Sequence, residues 1–154
     1  MHLAASLAAM LPLTAIAGPL TARAGGPPGK PIPSNCTVDS PLLHAACGAP
    51  GVTTTGCMPY LNFITAHKLY RSHVESFATT DHAVQLEWKR CIESCYGYGT
   101  PGSCKSAILT YDRQTPADVL YSTCILFNDY LTKNDLETVE PWRYFGPEAG
   151  SIRC

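Results

Sequence analysis

The chain has 154 residues, 45% of them hydrophobic and 15% charged, with a formal net charge of −1. A soluble domain averages about 25% charged residues, so this surface is sparsely charged. The near balance of 11 Lys+Arg against 12 Asp+Glu excludes the basic excess of a nucleic-acid binder and a polybasic membrane patch. The length suits one domain, and an aromatic content of 9% with 8 cysteines argues against a disordered tail.

Residues Leu3 to Ala17 form an apolar run that is too short and too rich in small residues for a membrane span. Ala15 and Ala17 occupy the small-residue positions of a signal-peptide cleavage site, with the cut before Gly18; Ala22-Arg23-Ala24 offers a second cut before Gly25. Pro12 and the lack of a polar face argue against a core helix here. The expected organisation is a signal peptide over 1–17, a Gly/Pro-rich linker over 18–35 and one disulfide-rich domain over 36–154. No later stretch is long and apolar enough to span a membrane.

Gly25–Pro33, GGPPGKPIP, can hold neither a helix nor a central strand and reads as an extended, mobile lead-in. Asn35-Cys36-Thr37 fits the N-glycosylation sequon, with a cysteine in its middle position.

The cysteines are Cys36, Cys47, Cys57, Cys91, Cys95, Cys104, Cys124 and Cys154. An even number in a secreted chain implies a disulfide framework, whose connectivity arithmetic alone cannot supply. No Cys-x-x-Cys is present, which excludes a thioredoxin-type redox site. Cys91-x3-Cys95 near His82 has metal-like spacing, but extracellular thiols oxidise, so disulfides are preferred and no metal or cofactor is expected. Adjacent Cys-Cys pairs are absent, unlike in hydrophobins or the eight-cysteine haem-scavenging domains of fungal surfaces.

In chain order, Val74–Phe77 reads as a strand ending at Thr79-Thr80. Thr80 or Asp81 can cap a helix. Over Asp81–Cys95, Val84, Trp88, Cys91 and Cys95 fall on one stripe of an amphipathic helix, with Glu87, Arg90 and Glu93 largely off it. Cys91 and Cys95 sit one turn apart and project in parallel, so each needs a different partner. Gly97–Gly102 is a breaker-rich loop. Cys104–Tyr111 and Ser122–Asn128 read as strands, the second with Cys124 and Leu126 on one side and Ile125 and Phe127 on the other. Asp112–Asp118 reads as the turn between them. Asn134–Cys154 reads as mostly irregular, anchored by Trp142, Tyr144 and Phe145.

A helix bearing Cys-x3-Cys, a short glycine loop, the strand CKSAILTY and the strand TCILF together resemble the PAN/apple family. Cys47-Gly-Ala-Pro-Gly51 and Cys154 resemble the opening and closing elements of its small secreted fungal members. The resemblance covers about residues 47–154. It departs from the family in the additional Cys36 and Cys57, in the long connection Met58–His73 and in the C-terminal ending. It implies an α+β fold in which a curved antiparallel sheet cradles one helix. It also implies bridges Cys91–Cys124 and Cys95–Cys104, with Cys47–Cys154 tying the ends and Cys36–Cys57 as an accessory staple. The implied role is non-catalytic recognition of an extracellular protein or glycan.

No Gly-x-Ser-x-Gly, His-Glu-x-x-His, Walker or dinucleotide motif is present. His67, His73, Glu75 and His82 cluster in sequence, and a Glu and a His across a strand can act as base and acid. HKLYRSHVESF is faintly like the start of a fungal guanyl-ribonuclease site, but no later His follows His82. Tyr96, Tyr98, Trp142 and Tyr144 are the candidate ligand-contacting aromatics, against a plain packing role. The acids Asp112, Asp118, Asp129, Asp135, Glu137 and Glu140 outweigh Arg113 and Lys133, which suits a solvated face or steering of a basic partner, and no EF-hand spacing occurs. The expectation is a secreted, non-catalytic binding module. The alternatives are a small secreted hydrolase using His73, Glu75 or His82, and a structural cell-wall protein.

Overall fold

A computed structural model describes residues 27–40, 56–76, 80–114, 119–139 and 144–154. The signal-peptide segment, Cys47 with its Cys-Gly-Ala-Pro-Gly element, the turn 115–118 and Trp142 lie outside the described residues. The architecture is mixed α/β with antiparallel sheets. Among the described residues the strands are β1 (Thr37–Asp39), β2 (Gly56–Pro59), β3 (Lys68–Glu75), β4 (Ser106–Gln114), β5 (Val119–Phe127), β6 (Leu136–Val139) and β7 (Tyr144–Arg153). The α-helices among them are α1 (Leu61–His67) and α2 (Asp81–Tyr96). The main sheet has the order β1-β7-β4-β5-β3, and β2 pairs with β6 in a separate ribbon.

Helix α2 forms where the sequence places it. Thr80 adopts extended backbone angles and its side chain accepts a hydrogen bond from the Ala83 amide, one of the donors a helix start leaves unpaired. The stripe buries Cys91 and Cys95, joined by Ile92, with Val84 and Trp88 half-buried beside them. These pack on Ala107, Leu109 and Tyr111 of β4 and Leu126 of β5. After α2, the chain turns through Gly99 and Gly102, both at positive φ, a conformation glycine adopts without a Cβ clash.

The alternation in β5 sorts the core into two layers. Leu126 and Cys124 face α2, while Ile125 and Phe127 face away. The second face is covered by α1 and the β2–β6 ribbon, where Cys57, Leu131 and Leu136 pack on Ile108, Ile125 and Phe127. The Phe63 ring of α1 meets Phe127 edge-on at 5.2 Å.

Several expectations are corrected. The fold has a helix on each face rather than one cradled helix. The connection Met58–His73 holds α1 and most of β3, which begins at Lys68 rather than Val74 because pairing with β5 carries it back to Phe127. The tail is not irregular: β6 and β7 occupy much of it, and β7 is an interior strand between β1 and β4. Its pairing with β4 slips between Leu109 and Tyr111, skipping Gly146 and Pro147, the usual accommodation for proline inside a sheet. The lead-in does not hang free over Pro27–Pro33. Lys30 donates its amide to the Glu93 carbonyl at 3.0 Å and Ile32 packs against the α2-side core.

Candidate functional site

The disulfides fix the site before any ligand chemistry enters. Cys91 pairs with Cys124 and Cys95 with Cys104, the two bridges the family resemblance implies. Together they tie α2 to β5 and to the residue leading into β4. The terminal pairing differs from the expected Cys47–Cys154 and Cys36–Cys57: Cys36 bonds Cys154. The reason is register. β1 pairs with β7 with Thr37 opposite Arg153, so Cys36 and Cys154 are the next residues along the same ladder. Cys57 is disulfide-bonded, with its partner outside the described residues.

Between α2 and strand β3 lies a groove of about 510 Å³. Its floor is Ser122 and Cys124 of β5, one wall is Leu86, Glu87 and Arg90 of α2, and the other is Tyr70, Ser72 and Val74 of β3. Two of its apolar side chains are open to water, Val74 at 54% and Leu86 at 44% exposure. Pro27 closes part of the rim. The groove therefore combines a rigid, cross-linked frame with apolar contact surface and mixed charge, the usual make-up of a recognition site.

Beside the groove several polar groups are wholly or partly withdrawn from water. Glu87 accepts a hydrogen bond from the Ser76 hydroxyl at 2.8 Å. The Tyr111 phenol is pushed far above its ordinary value, first by burial and then by the Glu87 carboxylate beside it. Burial also raises Glu148 above the usual carboxylate range. In both the largest cause is burial, which disfavours the charged form.

The sequence-derived candidates are dispersed. Tyr96 and Tyr98 are half-buried against the α2-side core, and the Tyr98 hydroxyl donates to the Leu69 carbonyl at 3.4 Å. Tyr144 opens β7, at the far side of β4 from the groove. Asn35 is exposed in a turn immediately before the Cys36–Cys154 bridge. His73 and Glu75 do share a face, opposite Thr123 and Tyr121. There the His73 Nδ1 lies 2.7 Å from the Thr123 hydroxyl, and its ring stacks on Tyr121 at 4.7 Å. His82 is not brought to them, because it sits in the first turn of α2, on the other face of the sheet. His67 ends α1, with Nδ1 3.2 Å from the Asn128 side chain and 3.8 Å from Asp129. Among the described residues, no group of three or more His, Cys, Asp or Glu is arranged to hold a metal ion.

Sequence reasoning missed the groove residues Tyr70, Val74, Leu86 and Arg90. One signal was available: Leu86 is apolar yet lies off the buried stripe of α2, so a leucine was left facing water. No protein-family model, curated protein or solved structure matches the chain. Among the described residues, no helix is long and apolar enough to cross a membrane.

Proposed function

We propose that the chain is a secreted, non-catalytic binding module of the PAN/apple kind, recognising an extracellular protein or carbohydrate in the groove between α2 and β3. One observation carries the reading. The groove exposes Val74 and Leu86 on a wall and rim whose helix is pinned to the sheet by two disulfides. A contact surface held in shape before binding loses little entropy when a ligand docks. Secretion is supported by the Leu3–Ala17 run with its cleavage motif and by disulfides, which persist in oxidising compartments.

The test is a titration of isotope-labelled protein, followed by amide chemical shifts, with soluble extracellular oligosaccharides and, separately, extracellular protein domains. Saturable shifts should centre on Tyr70, Val74, Leu86 and Arg90. Leu86→Glu should abolish them, and His73→Ala, on the opposite face, should leave them unchanged. Shifts confined to other surfaces, or a Leu86→Glu variant that binds normally, would remove the groove from consideration. Cleavage of an offered oligosaccharide that disappears in His73→Ala would instead establish the hydrolase.

A further inference from the structure

The groove gives no role to the sequon Asn35-Cys36-Thr37, yet the fold fixes where and when that sequon is open. It is the only Asn-x-Ser/Thr in the sequence. Asn35 and Thr37 are both exposed, Asn35 in a turn where the Cys36 amide donates to the Pro33 carbonyl at 3.0 Å. Among the described residues nothing hydrogen-bonds the Asn35 side chain. An oligosaccharide on its Nδ2 therefore displaces no contact of the folded chain. β1, which begins at Thr37, is one edge strand of the main sheet, and β3 is the opposite edge. A sugar at Asn35 is thus attached at the side of the sheet away from the groove.

The groups that close around the sequon come from the far end of the chain. Thr37 pairs with Arg153, Val38 with Ile152 and Asp39 with Ser151. Cys36 bonds Cys154, 118 residues further along. Arg153 also reaches Asp39, at 3.0 Å. Among the described residues no strand other than β7 pairs with β1. Synthesis at roughly 5–20 residues per second separates Cys36 from Cys154 by roughly 6–24 s over those 118 residues. During that interval neither the native ladder nor the native bridge can form, so the sequon is an open segment of chain. The cysteine in its middle position is no obstacle, because its partner has not yet been made.

We infer that Asn35 carries an N-linked oligosaccharide, attached before the Cys36–Cys154 bridge closes. The inference rests on the secretion reading, because the sequon is an acceptor only in a secreted chain; it does not depend on the ligand. The donor is an oligosaccharide carried on a polyprenyl pyrophosphate. The bond from Asn35 Nδ2 to the sugar C1 forms as the C1–O bond to the pyrophosphate breaks. The pyrophosphate leaves with the electron pair, Nδ2 gives up one proton, and nothing is oxidised or reduced. The bridge follows by thiol–disulfide exchange: Cys36 and Cys154 are oxidised, and a disulfide carrier of the same compartment is reduced. The finished chain then holds a bulky, hydrated group beside a surface bridge whose Cys154 is itself exposed.

Secretion of the full chain, with its own leader, from a eukaryotic cell tests the inference. Enzymatic release of the glycan in heavy-oxygen water converts a glycosylated Asn to a labelled Asp, read by peptide mass spectrometry. Wild type should carry the label at Asn35 in nearly every molecule, with the Cys36–Cys154 bridge in the same molecules. Asn35→Gln and Thr37→Ala should each lose the glycan's gel shift completely, and Thr37→Ser should keep it. Pulse labelling supplies the order: the glycan should be present before the bridge is detectable, and the bridge should appear during the chase. Cys154→Ser cannot close the bridge and should reach wild-type occupancy inside the cell, whether or not it is exported. A bare Asn35 in secreted, bridged wild type overturns the inference. So does an occupancy that rises in Cys154→Ser, because the bridge would then be closing first. A chain held in the cell with its leader uncut and its cysteines reduced overturns the secretion reading and this inference together; the uncut leader tells the two failures apart.

Discussion

Helix α2 spans sixteen residues on one face of the sheet, and helix α1 spans seven on the other. The first is capped by Thr80 and cross-linked to the sheet at Cys91 and Cys95. The second has no side-chain cap bond and no fully buried residue of its own; it contributes the half-buried Phe63 and Ile64 to a core supplied by the strands. One layer is held by two disulfides from the helix itself and by local helix signals; in the other the helix carries no disulfide and rests on apolar packing around Phe127, with Cys57 bonded to a cysteine outside the described residues. The groove lies beside the covalently held helix, so that wall of it belongs to the part of the molecule least free to open. The α1 layer is where local unfolding should begin, because short, exposed elements with few buried contacts open first.

Phe127→Ala strikes the packed layer hardest. Phe127 is fully buried, faces Phe63 and centres that core. Its truncation should cost about 4 kcal/mol, read from denaturant unfolding of the intact protein. Amide exchange should accelerate in α1 and the β2–β6 ribbon well before α2. A uniform loss across both faces would show that the two layers unfold as one unit and break the contrast.

Removing the Cys91–Cys124 bridge with paired Ser substitutions tests the opposite layer. The closed segment has a sequence separation of 33, and its loss should cost about 3 kcal/mol on the loop-entropy view. Because Cys95–Cys104 remains, α2 should stay docked at its C-terminal end while the Leu86 wall loosens. Ligand binding should therefore fall further than stability alone predicts.

The same contrast explains what could be read from the sequence. Helix α2 was legible because Thr80, the Val84–Trp88–Cys91–Cys95 stripe and the glycine loop after it all give the same local message. β5 was legible through strict alternation across Cys124, Ile125, Leu126 and Phe127. The layer around α1 gives no such agreement. α1 is too short for its period to stand out, and β2 and β6 exist only because Cys57 and Met58 find Thr138 and Glu137. β7 was hidden by Gly146 and Pro147, which argue against a strand unless a bulge absorbs them. The Cys36–Cys154 bridge was hidden for the same reason, since it follows from the β1–β7 register. The groove was hidden further still: it is made by the space between α2 and a strand whose pairing the sequence does not announce, and only the outward Leu86 hinted at it.

Thr80→Ala offers a smaller and more local test. The Thr80 side chain satisfies the Ala83 amide at 3.3 Å, and losing such a cap typically costs about 1 kcal/mol. The fraying should stop short of Cys91, where the first disulfide holds the helix. Exchange protection should therefore fall at Ala83–Leu86 and hold at Ile92–Tyr96. Loss of protection along the whole helix would mean that the cap, rather than the cross-links, organises it.

The smallest effect concerns charge under the covalently held layer. Glu148 lies opposite Leu109, on the α2 face, and burial raises its folded-state pKa above the ordinary carboxylate value. The folded protein then holds a proton that the unfolded chain releases. Stability is greatest below the unfolded carboxylate pKa and declines as pH rises through the folded one. Glu148→Gln removes that dependence while keeping the shape of the side chain. The variant should match wild type in strongly acidic solution and exceed it at neutral pH, as measured by melting temperature across a pH series. A variant less stable than wild type at neutral pH would show that the ionised carboxylate has a compensating partner, and the α2 face would then rest on charge as well as on its disulfides.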